Sequence, residues 1–316
     1  MKQIRTVTGN IEPHELGFTQ PHEHLLISRG ISSDIDAALC IDNLDKSIEE
    51  VLEYKKAGGG TIIDAQPGGC NRMAEGLVEI SERTGVKIIA TTGFHKHIFY
   101  CQNHWLFTQS KDVIRNLFVH ELEVGMFTQL EKNINCEYIS ARAGIVKGAN
   151  DSINLTPTYA KCFSAAAQAA NLCETPFMVH IERGSDAISL LCDILSWGIK
   201  PHRIIFCHLD RVVMPIDFYK RFLDCGIFLE FDTIGRFKYH SDEDEAALIK
   251  ELLDRGYEEQ ILCSLDTTRQ RLKSYCNDAI GLTYLLTNFF PMLRQYGVTQ
   301  RQLNKISGQN IQRAFA

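Results

Sequence analysis

Apolar positions along this chain fall into short blocks at fairly even intervals, neither one long run nor a strict alternation. Eight of the blocks are rich in β-branched residues: "LGFTQPHEH", "GTIIDAQ", "KIIATTGF", "ARAGIVKG", "PFMVHIE", "RIIFCHLD", "GIFLEFDT" and "QILCSLDTT". Nearly continuous apolar runs of this length are the pattern of parallel strands covered on both faces. Between most of them the spacing lengthens to a helical period. "DNLDKSIEEVLEYKKAGG" sets Leu44, Ile48, Val51 and Leu52 on one face and stops at glycines. "TPTYAKCFSAAAQAANLC" opens with Thr-Pro, a cap followed by a first-turn proline. "SDAISLLCDILSWG" and "HSDEDEAALIKELLDRG" follow the same scheme. Strands alternating with helices predict a parallel sheet, and eight such units predict an α/β fold of the (β/α)8 TIM-barrel type. Ahead of the first barrel strand, "IRTVTGNIEP" predicts a short N-terminal β-hairpin turning at Gly9-Asn10. After the eighth, "LTYLLTNFFPMLRQYG" and "TQRQLNKISGQNIQRAF" predict C-terminal closing helices. No linker or shift of composition interrupts the pattern, so residues 1–316 are expected to form a single domain.

Composition narrows the class of partner. With 45% apolar and 23% charged residues the chain has ample material for a core. A net charge of -6 argues against a nucleic-acid surface or an anionic membrane. No apolar stretch is long enough to span a bilayer. "MKQIRTVTGNIEP" has no apolar signal region, so a cytoplasmic location is expected. The 11 cysteines include no Cys-x-x-Cys pair, and most lie inside apolar runs. That is the pattern of buried free thiols in a reducing compartment.

The chemistry sits at the strand ends, where barrels of this type carry their functional groups. His22 and His24 close the first barrel strand, in "PHEH". Lys147 ends the fourth, His180 the fifth, His208 the sixth and Asp266 the eighth. Each has a plain structural reading: a hydrogen-bonded core histidine, a helix-capping aspartate, a lysine reaching past the rim. Six such groups at equivalent ends of five strands favour a joint reading as a metal site. An ammonium group has no lone pair, so Lys147 fits only as a neutral amine or as a carbamate formed with CO₂. Four histidines, one carbamate and one aspartate suit two divalent ions roughly 3.5–4 Å apart with a hydroxide between them. The nitrogen and oxygen donors suit zinc, manganese or cobalt. No Gly-x-Ser-x-Gly elbow is present, and "HEHLL" lacks the second histidine of His-Glu-x-x-His.

Along essentially its whole length the chain resembles the phosphotriesterase family of the amidohydrolase superfamily, including its phosphorylated-sugar-lactonase branch. "TVTGNIEPHELGFTQPHEHLL" is similar to the family's N-terminal signature, and "GIVKGA", "VHIERG", "CHLDR" and "SLDTTR" follow in the family's order. The resemblance implies that His22, His24 and Asp266 hold a buried ion and His180 and His208 a more exposed one. Carboxylated Lys147 bridges them, where one branch of the family has glutamate. It implies catalysis by a bridging hydroxide, with Asp266 as the catalytic residue that moves its proton to the leaving oxygen. Two divalent ions, zinc first, a small-molecule substrate and a homodimer follow from the same likeness.

For the substrate, the resemblance points to a lactone, in particular a phosphorylated sugar lactone. Lys238 and Arg269, in the loops "IGRFKYHSDED" and "DTTRQRLKSY", look like the basic pair that grips the phosphate in one branch. That branch has a tyrosine three residues after the arginine; this chain has Leu272 there and Tyr275 three further on. Ordinary solvated charge is the other reading of the pair. A phosphotriesterase or carboxylesterase with the same ions, and a non-catalytic metal-binding barrel, are the alternatives for the whole protein. "GFHKHIFYCQNHW" gathers His95, His97, His104, Phe99, Tyr100 and Trp105 into either a third metal site or a loop covering the pocket, the latter favoured. Asp64 reads as a support or structural partner, Arg183 and Arg211 as substrate-orienting or paired charges, and His14 and His120 as surface residues.

Overall fold

The computed structural model describes residues 3–316. Two short antiparallel strands, β1 (Ile4–Thr6) and β2 (Gly9–Ile11), precede eight parallel ones. The eight are β3 (Phe18–Glu23), β4 (Gly59–Pro67), β5 (Lys87–Gly93), β6 (Ile145–Asn150), β7 (Phe177–Ile181), β8 (Ile204–Cys207), β9 (Phe228–Phe231) and β10 (Ile261–Cys263). They pair in sequence order from β3 to β10, with helices in the crossovers, as a TIM barrel requires. The seam between β3 and β10 is bridged partly by side chains. Ser264 Oγ accepts the His22 N–H at 2.9 Å and donates to Glu23 at 2.7 Å. Glu23 also accepts the backbone N–H groups of Leu265 and Thr267. Burial lifts the Glu23 carboxyl to about 7.

Helices form where the periodicity predicts them. Leu44–Lys56 is capped by Asn43, Pro157–Leu172 by Thr156 with proline in its first turn, and Asp242–Asp254 by Ser241. The first of these buries Ile48, Val51 and Tyr54, while Leu52 stays half-buried. The hairpin turns at Val7-Thr8 rather than at Gly9-Asn10. Val7 is buried and its N–H bonds Ile88 O at 2.9 Å, so the turn is fixed against the barrel and Gly9 begins the return strand. In the closing helices, Leu285–Phe289 and Lys305–Gln309 are π turns. Pro291, which has no N–H to donate, follows the first of them.

Two apolar layers result. A large one lies between sheet and helices. A smaller one fills the lower barrel with Ile63, Ile89, Ile145, Met178, Ile205, Phe228 and Leu262, and is closed by Ile4 of the hairpin and by Ile311 and Phe315. No helix among the described residues is long and apolar enough to cross a membrane.

Candidate metal centre

The two-residue period of the strands decides what enters the upper barrel. Lys147 stands two residues above Ile145, His180 above Met178, Cys207 above Ile205 and Glu230 above Phe228, so each faces the same interior. Gly93 makes room for this level: its φ is 111°, and a Cβ there would lie 2.0 Å from the Lys147 carbonyl oxygen. His208 and Asp266 lie beyond their strands, with φ of 69° and 48°. Positive φ strains an L side chain, and such strain concentrates where a functional group must be aimed.

His22, His24, Lys147, His180, His208 and Asp266 all line one cavity of about 230 Å³. His22 Nε2 is 3.2 Å from Lys147 Nζ and 3.7 Å from Asp266 Oδ1, and His24 Nε2 is 3.5 Å from the same oxygen. The ring centroids of His180 and His208 are 4.3 Å apart, and those of His22 and His208 5.0 Å. Donor atoms of His22, His24 and Asp266 lie within 4.8 Å of one another, as do those of His208, Asp232 and Asp266.

Burial holds the imidazoles of His22, His180 and His208 well below their ordinary value, aided by Lys147, so they are neutral donors with a free lone pair. Burial also lowers the Lys147 amine. Burial alone would raise the Asp266 carboxyl, but Arg236 at 2.9 Å, with His24, His208 and His22, holds it well below the usual range.

Beneath the histidines lie two carboxylates that no sequence motif marks. Glu230 Oε2 is 3.2 Å from His22 Nδ1, and Asp232 Oδ1 is 2.6 Å from His208 Nδ1. A carboxylate on one ring nitrogen fixes the tautomer and turns the other nitrogen toward the cavity. Burial pushes both carboxyls up, and Asp232 adds to the effect on Glu230. Cys207 Sγ bonds Glu230 from the side.

The upper wall alternates in charge. Lys96 pairs with Glu182 at 2.8 Å, Glu182 with Arg211 at 3.0 Å, Arg211 approaches Asp266 at 3.8 Å, and Arg236 pairs with Asp266. Of these, the sequence alone points to Arg211 and Asp266. The expected phosphate pair lies elsewhere. Lys238 is exposed over the Tyr239 ring, and Arg269 is drawn to Asp42 and the Cys40 carbonyl, each at 3.0 Å. Neither lines the cavity, although their neighbours Tyr239 and Thr268 do. Leu272 is buried in the core, and the Tyr275 hydroxyl bonds Asn43 O at 2.7 Å.

Among the described residues, the histidine-rich loop after β5 contributes to no cluster of metal-competent donors. His95 lines the cavity with Lys96 and Phe99. His97 stacks on Tyr159 with centroids 3.5 Å apart, and His104 packs against Tyr100 and accepts from Leu106 N–H. Asp64 is a structural partner: it accepts the N–H of Leu25, next to His24, at 2.8 Å. Arg183 and His14 are exposed. His120 is half-buried, stacked on Phe127, rather than a surface residue.

The sequence model of the phosphotriesterase family matches residues 2–315. A phospho-furanose lactonase of Mycoplasmopsis synoviae is 32% identical, across 100% of this chain and 92% of its own length. Among solved structures, an amidohydrolase from Mycoplasma synoviae superposes with a TM-score of 0.93 at 29% identity, covering 100% of this chain and 92% of that one. A lactonase from Listeria monocytogenes gives 0.89 at 27% identity, covering 100% and 99%.

Proposed function

The chain belongs to the phosphotriesterase family and is accordingly a hydrolase acting on ester bonds, and from that premise we propose that it opens a phosphorylated furanose lactone with the help of two divalent cations. The observation that carries the reading is the convergence of six ligand-competent groups, from five barrel strands, on one cavity. The name phospho-furanose lactonase, borne by the 32% identical relative, supports the substrate class.

The residues fit the ions. Lys147 is fully buried, and its amine meets His22 Nε2 with no carboxylate partner among the described residues. A carbamate at that position turns an unpaired buried cation into an anion between cations. His24 Nδ1 is buried without a partner. Asp266, His22 and His24 would hold one ion, His180 and His208 the other, and carboxylated Lys147 both; zinc suits the set best, with manganese or cobalt next. When bound, the ions lower the pKa of a shared water towards ~7 and polarise an ester carbonyl.

The chain's own groups do the rest. Asp266, kept ionised by Arg236, accepts a proton from the attacking water and passes it to the ring oxygen as the acyl C–O bond breaks. Glu230 and Asp232 keep His22 and His208 turned to the cavity. Lys238 and Arg269 lie outside the cavity, next to its lining residues Tyr239 and Thr268, and would reach the phosphate only where it projects past the mouth and draws Arg269 from Asp42. The 11 free cysteines support a cytoplasmic setting.

The test is hydrolysis of a 1,4-pentonolactone with and without a 5-phosphate, beside a phosphotriester and a simple carboxylic ester. The proposal expects the phosphorylated lactone to be preferred by about 10²-fold, as charge-assisted bonds supply. Lys238→Met with Arg269→Met should erase that preference while the unphosphorylated lactone is turned over as before. Faster hydrolysis of the phosphotriester or the simple ester would overturn the lactone reading.

A further inference from the structure

His95 follows Phe94 at the end of β5 and is nine-tenths buried on the cavity wall. The backbone N–H of Lys96 donates to its Nδ1 at 2.8 Å. A ring nitrogen that accepts a hydrogen bond presents its lone pair, so the imidazole proton sits on Nε2. The ring is held by contact with Phe99, centroids 4.9 Å apart, while the Tyr100 hydroxyl accepts the backbone N–H of His95 at 2.7 Å. It stands between His24 and His180, with centroid distances of 6.4 and 5.8 Å. Its Nε2–H is bonded to no acceptor among the described residues.

We propose that His95 is a catalytic hydrogen-bond donor, its Nε2–H meeting the carbonyl oxygen of the substrate and stabilising the negative charge that develops there. The inference rests on the lactone reading above. In the step it assists, the oxygen of water bonds to the carbonyl carbon and the C–O bond to the ring oxygen breaks. The proton released from water reaches the ring oxygen through Asp266, and His95 keeps its own proton throughout. The same tautomer excludes His95 as a metal ligand. A protonated Nε2 has no lone pair to give, and the lone pair of Nδ1 already faces the Lys96 N–H. A preorganised donor of this kind is worth about 10²–10³ in kcat.

Wild type, His95→Phe and His95→Gln are compared in kcat and KM on the 1,4-pentonolactone 5-phosphate, in bound metal, and by ¹⁵N NMR of histidine-labelled protein. The histidine signal missing from both variants should be that of a ring protonated on Nε2 and bare on Nδ1. His95→Phe should keep its metal and hold KM within about threefold while kcat falls about 10²-fold or more. His95→Gln, which keeps an N–H donor, should recover at least about tenfold of that loss. Three results would overturn the proposal: kcat of His95→Phe within threefold of wild type, a loss of metal whose replenishment restores the rate, or a ring protonated on Nδ1. A wild type inert toward the lactone would defeat the lactone reading alone. His95 would then be judged by its tautomer and by kcat on whichever ester the wild type does hydrolyse.

Discussion

Replacing Lys147 with methionine should make the metal-free protein more stable and the enzyme inert. The side chain is fully buried, its amine lies 3.2 Å from His22 Nε2, and it makes no ion pair among the described residues. In the absence of metal and CO₂ the fold therefore carries a buried amine with no compensating charge. Methionine has nearly the same length and volume and needs no partner. Replacing buried charge by a well-packed apolar group stabilises by about 1–4 kcal/mol. For a chain of this size that is roughly 1.5–6 °C at about 1.5 °C per kcal/mol. The assay is thermal unfolding followed by far-UV circular dichroism after chelation and dialysis, beside lactone hydrolysis after metal is restored. Metal-free Lys147→Met should melt higher than metal-free wild type. Added zinc should raise wild type by more than it raises the variant, because the variant keeps at most one of the two sites. A metal-free variant that melts several degrees below wild type would refute the reasoning, for it would mean that the Lys147 amine is well paired in the fold.

Asp232→Asn should weaken retention of divalent metal by about 10–100-fold in competition with a chelator, because the 2.6 Å contact that orients His208 loses its charge. Arg72→Met should cost about 3–5 kcal/mol in urea unfolding, since it strands the Glu121 carboxylate beside which Arg72 is buried at 2.6 Å; changing both residues to apolar ones should cost less. Stability should fall as pH rises toward the alkaline range, in part through His240 and Glu245. Burial alone would lower the His240 imidazole, but Glu245 at 3.0 Å lifts it to about 9, while burial and then Asp210 lift the Glu245 carboxyl to about 8. Both folded values exceed the unfolded ones of about 6.5 and 4.3, so the native state binds the extra protons and loses that advantage as pH climbs through the window. The drop in Tm between pH 6.5 and 9.5 should be smaller in Glu245→Gln.

What could be seen in the sequence and what could not follow from the range of the physics. Parallel strands buried on both faces write themselves as apolar runs, and a barrel places the last residue of each run at one end, so His180 and Lys147 were visible as neighbours although 33 positions separate them. Glu230 and Asp232 were on view in "FLEFD", two carboxylates in a buried strand. A supporting carboxylate has no period of its own, and only the distances to His22 and His208 reveal it. Arg236 reaches Asp266 from a loop whose path no propensity predicts. Arg269 is led away from the cavity by Asp42, 227 residues distant in sequence, a pairing that local reading cannot supply. The hairpin turn was displaced because Gly9-Asn10 is a strong local signal, while the anchoring of Val7 to Ile88 is a tertiary one. In "GFHKHIFY" the three neighbouring aromatic and imidazole types look alike. The hydrogen bond at His95 Nδ1 distinguishes a donor from a ligand.

The central question for this protein is whether Lys147 bridges two ions beneath the substrate. The most direct measurement is metal stoichiometry by inductively coupled plasma mass spectrometry, taken alongside lactone hydrolysis as zinc is titrated into chelated protein with bicarbonate present. The account predicts two equivalents per chain in wild type, activity rising with their uptake, and at most one equivalent with no turnover in Lys147→Met. Full hydrolysis by metal-free wild type, or two tightly held ions in Lys147→Met, would contradict it.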